Sequence, residues 1–244
     1  ALQYASTFGY AVWLRPQELH LGKGVAASGP LATRMGLSGV SVAAETIALH
    51  TIFELVRSTR ARVHLCRISS AQGVELVRLA KAEGLPITAD VSINSLHLTD
   101  ADMGRAGLAD GTLDALVSDH TPVDADAKAL PFAEAEPGAT GMELLWSLAL
   151  KWGQDAQVPL PQVISRITAD PARVLGASLG NLQGSVGSLS VGAAADLCVL
   201  SDQGHWPVTA EGLRSQGKST PFMGYELPGR VLFTLVNGQV AFEA

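Results

Sequence analysis

The sequence is poor in cysteine: Cys66 and Cys198 are the only two in 244 residues. They lie far apart and make neither a zinc spacing nor a redox pair, so a reducing, cytoplasmic setting is the economical expectation. No apolar run reaches the length of a membrane span, and the longest, such as 231–236, are strand-sized. Charged residues make up only 16%, and the balance is acidic, with a net charge of −6. That balance argues against nucleic acid as a partner and against an anionic membrane surface. No G-x-G-x-x-G and no P-loop follows the first strand-like stretch, which weakens a nucleotide-binding reading. The first residue is Ala1, with no signal-peptide n-region. The chain is therefore expected to be incomplete.

What is present describes a well-buried globular protein. Hydrophobic residues make up 47%, unlike a disordered chain or a coiled coil. The length suits one large domain, or one large plus one small, and sustains a core without disulfides.

Strand and helix signals alternate along the first two-thirds. Strands are expected at 10–15 (YAVWLR), 62–67 (RVHLCR), 86–91 (PITADV) and 113–118 (LDALVS). Helices are expected at 43–59, 71–83, 140–152, 162–168 and 172–176. In the first of these, Ala44, Ile47, Ala48, Thr51 and Leu55 fall on one face at helical spacing. Ser69 or Ser70 can cap the second, and Gly84 ends it. Such alternation implies parallel βα units, in an open doubly wound sheet or a closed barrel. Residues 187–200 and 230–242 are strand-rich, and Asn237-Gly238 is a hairpin turn signal. The expected division is a βα body over 1–180 and a small β unit over 181–244.

In parallel βα folds, function collects at the carboxyl ends of strands. Three charged residues stand there: Arg15, Arg67 and Asp119. Strand alternation puts Arg67 on the face of Val63 and Leu65, with His64 and Cys66 facing the helices. If the first face points into a barrel, Arg67 ends in the mouth. Alternatively, both arginines snorkel from the rim into solvent. Asp119 opens a DHTP turn, where a carboxylate serves as general base, as metal ligand, or merely as a turn or cap residue. Of His20, His50, His64, His97, His120 and His205, none makes an H-x-H or H-x-x-x-H. Only His120 sits at a strand end.

Residues 114–122 (DALVSDHTP), 128–132 (KALPF), 136–138 (EPG) and 141–143 (GME) resemble dihydroorotases of the class I type. So do 73–90, Asp170-Pro171-Ala172-Arg173, 187–199 and 219–224 (STPFMG). The resemblance covers nearly the whole chain in consistent order. It implies the amidohydrolase superfamily: a (β/α)₈ TIM-type barrel, α/β in class, with a β subdomain built from both chain ends. The implied reaction is the reversible cyclisation of N-carbamoyl-aspartate to dihydroorotate in pyrimidine biosynthesis. The implied metal centre holds one or two zinc ions on histidines, often a carboxylated lysine, and the aspartate of the DH turn.

The chain departs from that pattern at the ligands. The family's H-x-E-D corresponds to Arg15-Pro16-Gln17-Glu18, and its H-x-x-H-x-S to His64-Leu65-Cys66-Arg67-Ile68-Ser69. Its T-P-H-H corresponds to Ser92-Ile93-Asn94-Ser95, and its D-H-A-P-H ends in Val123. Only Asp119 keeps its ligand type. A guanidinium stays protonated and has no lone pair for a metal. The expectation is a barrel without the zinc centre and without a cofactor, with Asp119 paired to Arg15 or Arg67. Asn94, His120, Glu136 and Gly138 are the remaining pocket residues.

Such non-catalytic homologues partner aspartate carbamoyltransferase, which is the expected partner here, with self-association left open. The alternative is an active zinc enzyme in which Asp119 transfers the proton and the amides about Gly138 bind a substrate carboxylate. Glu136 opposes that alternative unless it turns outward. Two family segments are absent: the strands with the H-x-H before Ala1, and a stretch between Leu98-Thr99-Asp100 and residues 107–111. Met103-Gly104-Arg105 closes the second gap, so the sequence is expected to be shortened or joined there.

Overall fold

A computed structural model describes residues 1–98, 102–183 and 185–244. The junction expected around 99–103 thus lies partly outside the described residues. The chain divides into two compact units: Ala1–Ala115 with Ala129–Ala135, and Leu116–Lys128 with Glu136–Ala244. The expected boundary at 180 falls inside the second.

The first unit runs α1 (Leu2–Phe8), β1 (Ala11–Leu14), β2 (Ala26–Ala27), α2 (Pro30–Arg34), β3 (Gly39–Val40), α3 (Val42–Thr59), β4 (Arg62–Leu65), α4 (Ala71–Ala82), β5 (Ile87–Ser92), α5 (Ile93–His97) and α6 (Asp102–Asp110). β1, β4 and β5 form a parallel sheet, with Trp13 opposite His64 and His64 opposite Thr88. Parallel neighbours need crossovers, and the helices supply them. The next strand, β6 (Ala115–Val117), starts in this unit. Asp114 leads into it: its amide donates to the Ala89 carbonyl at 2.7 Å, and its Oδ2 accepts from the Ala89 amide at 2.8 Å and Lys81 Nζ at 2.6 Å.

The helix starts follow capping chemistry. Ser41 Oγ accepts from the Ala43 amide at α3, and Ser70 Oγ from the Gly73 amide at α4. The face expected for α3 is corrected. Ala44 is buried, but Ile47 and Leu55 are 46% and 47% exposed, and the buried stripe is Ala44, Leu49, Ile52, Phe53 and Val56. Glu45 lies in that stripe because its carboxylate has partners inside, described below.

The second unit holds α7 (Ala125–Lys128), a 3₁₀ turn at Met142–Leu144, α8 (Leu145–Asp155), α9 (Leu160–Ile167), α10 (Ala169–Leu175), a 3₁₀ stretch at Gly176–Leu182, β7 (Leu197–Pro207), β8 (Glu226–Val236) and β9 (Gln239–Glu243). β7, β8 and β9 make an antiparallel sheet. The hairpin turn at Asn237-Gly238 has both φ values positive, 49° and 77°, as its type requires.

α8 is the core of this unit, with Trp146, Leu148, Ala149, Leu150 and Trp152 buried. Trp146 Nε1 donates to the Ser201 carbonyl and Trp206 Nε1 to Ser147 Oγ, each at 3.0 Å. The strand expected from 187 begins only at Leu197. The preceding residues make local turn bonds instead, Ser188 amide to Ser185 carbonyl and Ala193 amide to Ser190 carbonyl. Those bonds use the backbone groups a ladder would need. Among the described residues, no helix is long and apolar enough to cross a membrane.

Candidate functional site

Two constellations carry polar chemistry, one in each unit. In the first, His64 and Thr88 are register partners, and Asp90 follows Thr88 on the same sheet face. His64 Nδ1 lies 2.8 Å from Thr88 Oγ1, and Nε2 lies 2.9 Å from Asp90 Oδ2. His64 and Asp90 are buried. The Trp13 ring covers the imidazole at 4.4 Å between centroids.

Beyond the strand, the Cys66 amide donates to the Leu14 carbonyl at 2.8 Å. Burial pushes the Cys66 thiol up, the Asp90 charge adds to this, and the Arg67 guanidinium opposes it.

The expected placement of Arg67 by strand alternation is corrected here. β4 ends at Leu65, and Arg67 has a φ of 58°, so the alternation does not extend to it. Its amide donates to Asp90 Oδ1 at 2.7 Å. His64 shares its face with Thr88, Asp90 and Trp13. Val63, Leu65, Ile87 and Ala89, on the alternate positions, are all buried.

Behind this strand end, the start of α4 is held by a carboxylate. Glu45 Oε2 accepts from the Ser69 amide and hydroxyl at 2.8 and 2.7 Å. Its Oε1 accepts from the Ser70 amide and hydroxyl at 3.1 and 2.6 Å. The helix dipole favours a negative group there. Gly73 has no side chain for a reason: a Cβ would fall 2.0 Å from Glu45 Oε1.

Arg15 follows β1 and is exposed, and Arg67 and Asn94 are half-buried, Asn94 within α5. Ser92 Oγ caps that helix by accepting from the Ser95 amide at 3.1 Å. Glu18, three residues past Arg15, is spent on a turn. Its Oε2 accepts from the Leu21 and His20 amides, which hold the carboxyl below its ordinary value.

In the second unit, Asp119 follows β6 with a φ of 48°. His120 Nδ1 accepts from the Gly141 and Met142 amides, each at 3.2 Å. Those two bonds assign the ring proton to Nε2. The Thr121 amide donates to the Ala139 carbonyl at 2.9 Å. Gly138 closes the turn at a φ of 139°, and a Cβ there would lie 2.5 Å from the Thr121 carbonyl oxygen.

Glu136 is exposed, its amide bonded to the Ala127 carbonyl and its carbonyl to Lys128 Nζ. The reservation about a negative charge at Glu136 is thus met by an outward side chain. Val123 is buried. Glu143 accepts from the Arg214 and Ser215 amides and the Ser215 hydroxyl. Burial pushes its carboxyl up, but these donors, the hydroxyl first, outweigh that and hold it below its ordinary value.

Sequence reasoning put Asp119 and His120 in one turn and took Gly138 as a separate pocket residue; in the structure Gly138 packs against Thr121 of that turn. It placed Arg15, Arg67 and Asp119 at strand ends; Arg15 and Arg67, with Asn94, lie in the first unit, while Asp119 belongs to the second. It missed the His64–Asp90 pair, the Glu45 cap and the Glu143 latch. The available signal for the first was His64 near the end of one strand, with an acid, Asp90, inside the next.

The residues at the implied ligand positions do not fit zinc. They offer two guanidinium groups (Arg15, Arg67), an amide (Asn94), a hydroxyl (Ser95), an isopropyl group (Val123) and one carboxylate (Asp119). Zinc takes thiolate, imidazole or carboxylate ligands converging on one point.

No protein-family profile matches the chain. It is 38% identical over 265 aligned residues to a dihydroorotase-like protein of Pseudomonas aeruginosa, covering 100% of this chain and 61% of that protein. It is 36% identical to a dihydroorotase of Anaeromyxobacter sp. strain K, covering 100% of this chain and 60% of that one. The chain thus spans about three-fifths of the length of these relatives. Among solved structures, a D-hydantoinase from Thermus sp. superimposes with a TM-score of 0.82 at 20% identity. An L-hydantoinase from Arthrobacter aurescens does so with 0.82 at 21%. Each alignment covers 99% of this chain and 59% of the other. These likenesses confirm the α/β fold as the TIM-type barrel of the hydantoinases.

Proposed function

We propose that the protein carrying this chain is a dihydroorotase-like member of the cyclic amidohydrolases that has given up the zinc centre. In this reading it is catalytically inactive, cytoplasmic, and a structural partner of aspartate carbamoyltransferase in pyrimidine biosynthesis. One observation carries it. Arg67 stands at the end of β4 with its amide fixed on Asp90, at the position where the resemblance puts a histidine ligand. A guanidinium there repels a cation and offers it no electron pair. Without a Lewis acid or an activated water, the barrel lacks what opens or closes a cyclic amide.

The test is a cyclisation assay with N-carbamoyl-aspartate on the full-length protein, with added zinc. No turnover is expected. Turnover that disappears in Asp119→Ala would overturn the reading. Co-purification with aspartate carbamoyltransferase, and loss of that enzyme's assembly when the protein is deleted, is the expected result for the partnership. Full assembly without the protein would refute it.

A second reading has one observation in its favour. The DHTP turn is fully built, with His120 and Gly138 holding Asp119's loop. An active cyclic amidohydrolase would need such a turn, and the same assay separates the two.

A further inference from the structure

The geometry points to a divalent-cation site at His64, Cys66 and Asp90, selective for a borderline-soft ion of the zinc class. This site is distinct from the family ligand positions at Arg15, Arg67 and Asp119. It does not depend on the reading above.

The three side chains bring an imidazole nitrogen, a thiol sulfur and a carboxylate oxygen within 4.8 Å of one another. Zinc bonds of ~2.0–2.3 Å set tetrahedral ligand atoms roughly 3.3–3.7 Å apart. His64 Nε2 and Asp90 Oδ2 stand at 2.9 Å, so they need to part by only a few tenths of an ångström. Among the described residues this is the one group of three such side chains placed to share an ion.

The surroundings already hold the ligands as a metal site requires. Ligating histidines bond through their other nitrogen, and ligating carboxylates are themselves hydrogen-bonded. His64 Nδ1 is engaged by Thr88 Oγ1 at 2.8 Å, which leaves Nε2 aimed at the shared point. Asp90 keeps Oδ1 on the Arg67 amide at 2.7 Å, which leaves Oδ2 for the ion. The Cys66 backbone is pinned to Leu14. His64 and Asp90 are buried, whereas Cys66 is half-buried, so the ion enters, and a fourth ligand binds, from the Cys66 side. On binding, the thiol proton leaves to solvent and the imidazole carries its one proton on Nδ1, facing Thr88 Oγ1, so that a thiolate, a neutral imidazole and a carboxylate hold the ion.

Cobalt(II) is the probe, titrated into the metal-stripped full-length protein. The expected result is a thiolate-to-cobalt charge-transfer band that saturates, bleaches with zinc, survives Cys198→Ser and vanishes in Cys66→Ser. No band, or a band that persists in Cys66→Ser, would overturn the site. A second measurement needs no variant. Alkylation of Cys66, followed by peptide mass spectrometry, should slow by about tenfold or more with zinc, because the bound thiolate is no longer free to react. Equal rates with and without zinc would overturn it as well. Neither readout depends on turnover or on the family positions.

Discussion

Asp90 serves two neighbours at once, the His64 ring and the Arg67 amide. Asp90→Ala removes the acceptor facing buried His64 Nε2 and the one bonded to the Arg67 amide, and the expected cost is about 2–4 kcal/mol in urea denaturation. Glu45 is the stronger case, since four donors converge on it. Glu45→Ala is expected to lose about 3 kcal/mol by the same measurement, because charged hydrogen bonds are the strong ones. Gly73→Ala should disturb the same site by displacing the Glu45 carboxylate. None of this was legible residue by residue. An acid three positions into an amphipathic helix reads as solvated, and only the serines of another segment draw it in. Arg67 was misread for a related reason. Period-two counting holds only while the backbone stays extended, and a φ of 58° ends it.

The elements were far more legible. Strands at 62–67 and 86–91 and helices at 43–59 and 71–83 appear within a few residues of their expected ends, because capping serines and apolar periods are local signals. The Asn237-Gly238 hairpin was equally plain. The misses, the α3 face and the strand from 187, depend on what packs against each segment. Two predictions belong to this scale. Ser70→Ala removes the side-chain cap of α4 and should cost about 1 kcal/mol in a thermal melt. Gly138→Ala should cost more, about 2 kcal/mol or above, since a positive φ and a 2.5 Å approach to Thr121 both penalise a side chain. Its effect should show as altered His120 chemical shifts, because that ring is held by the neighbouring loop.

Over the whole molecule, both units carry carboxylates held below their ordinary values. In the first, burial raises Asp110 but the Thr112 hydroxyl and amide and Arg78 outweigh it, while Arg57 lowers Glu83. In the second, the donors from Ser215 and Arg214 outweigh burial at Glu143. The sign is the same for all three. The unfolded chain takes up protons first, so this stability is complete above the ordinary values of 3.8 for Asp and 4.5 for Glu. It is lost as the pH falls through the lower folded values. The melting temperature should therefore drop on acidification below about pH 4.5, and Glu143→Gln should flatten that limb. The α/β class was legible at this scale because βα alternation is distributed along the sequence, whereas the choice of a barrel over an open sheet came from the family resemblance. The division after Ala115 was not, because it follows contacts and not composition.

The left-handed backbone at Arg67 has a consequence for evolvability. Among residues other than glycine, that conformation is least unfavourable to Asn, Asp and His and offers arginine no such ease. The main chain at this strand end therefore keeps a shape better suited to the histidine of the resemblance than to its present occupant. Exchanging Arg67 for histidine would ask nothing new of the backbone. At position 67 the exchange between a guanidinium, which repels a cation, and an imidazole, which accepts one, is one of side chain only, open in both directions.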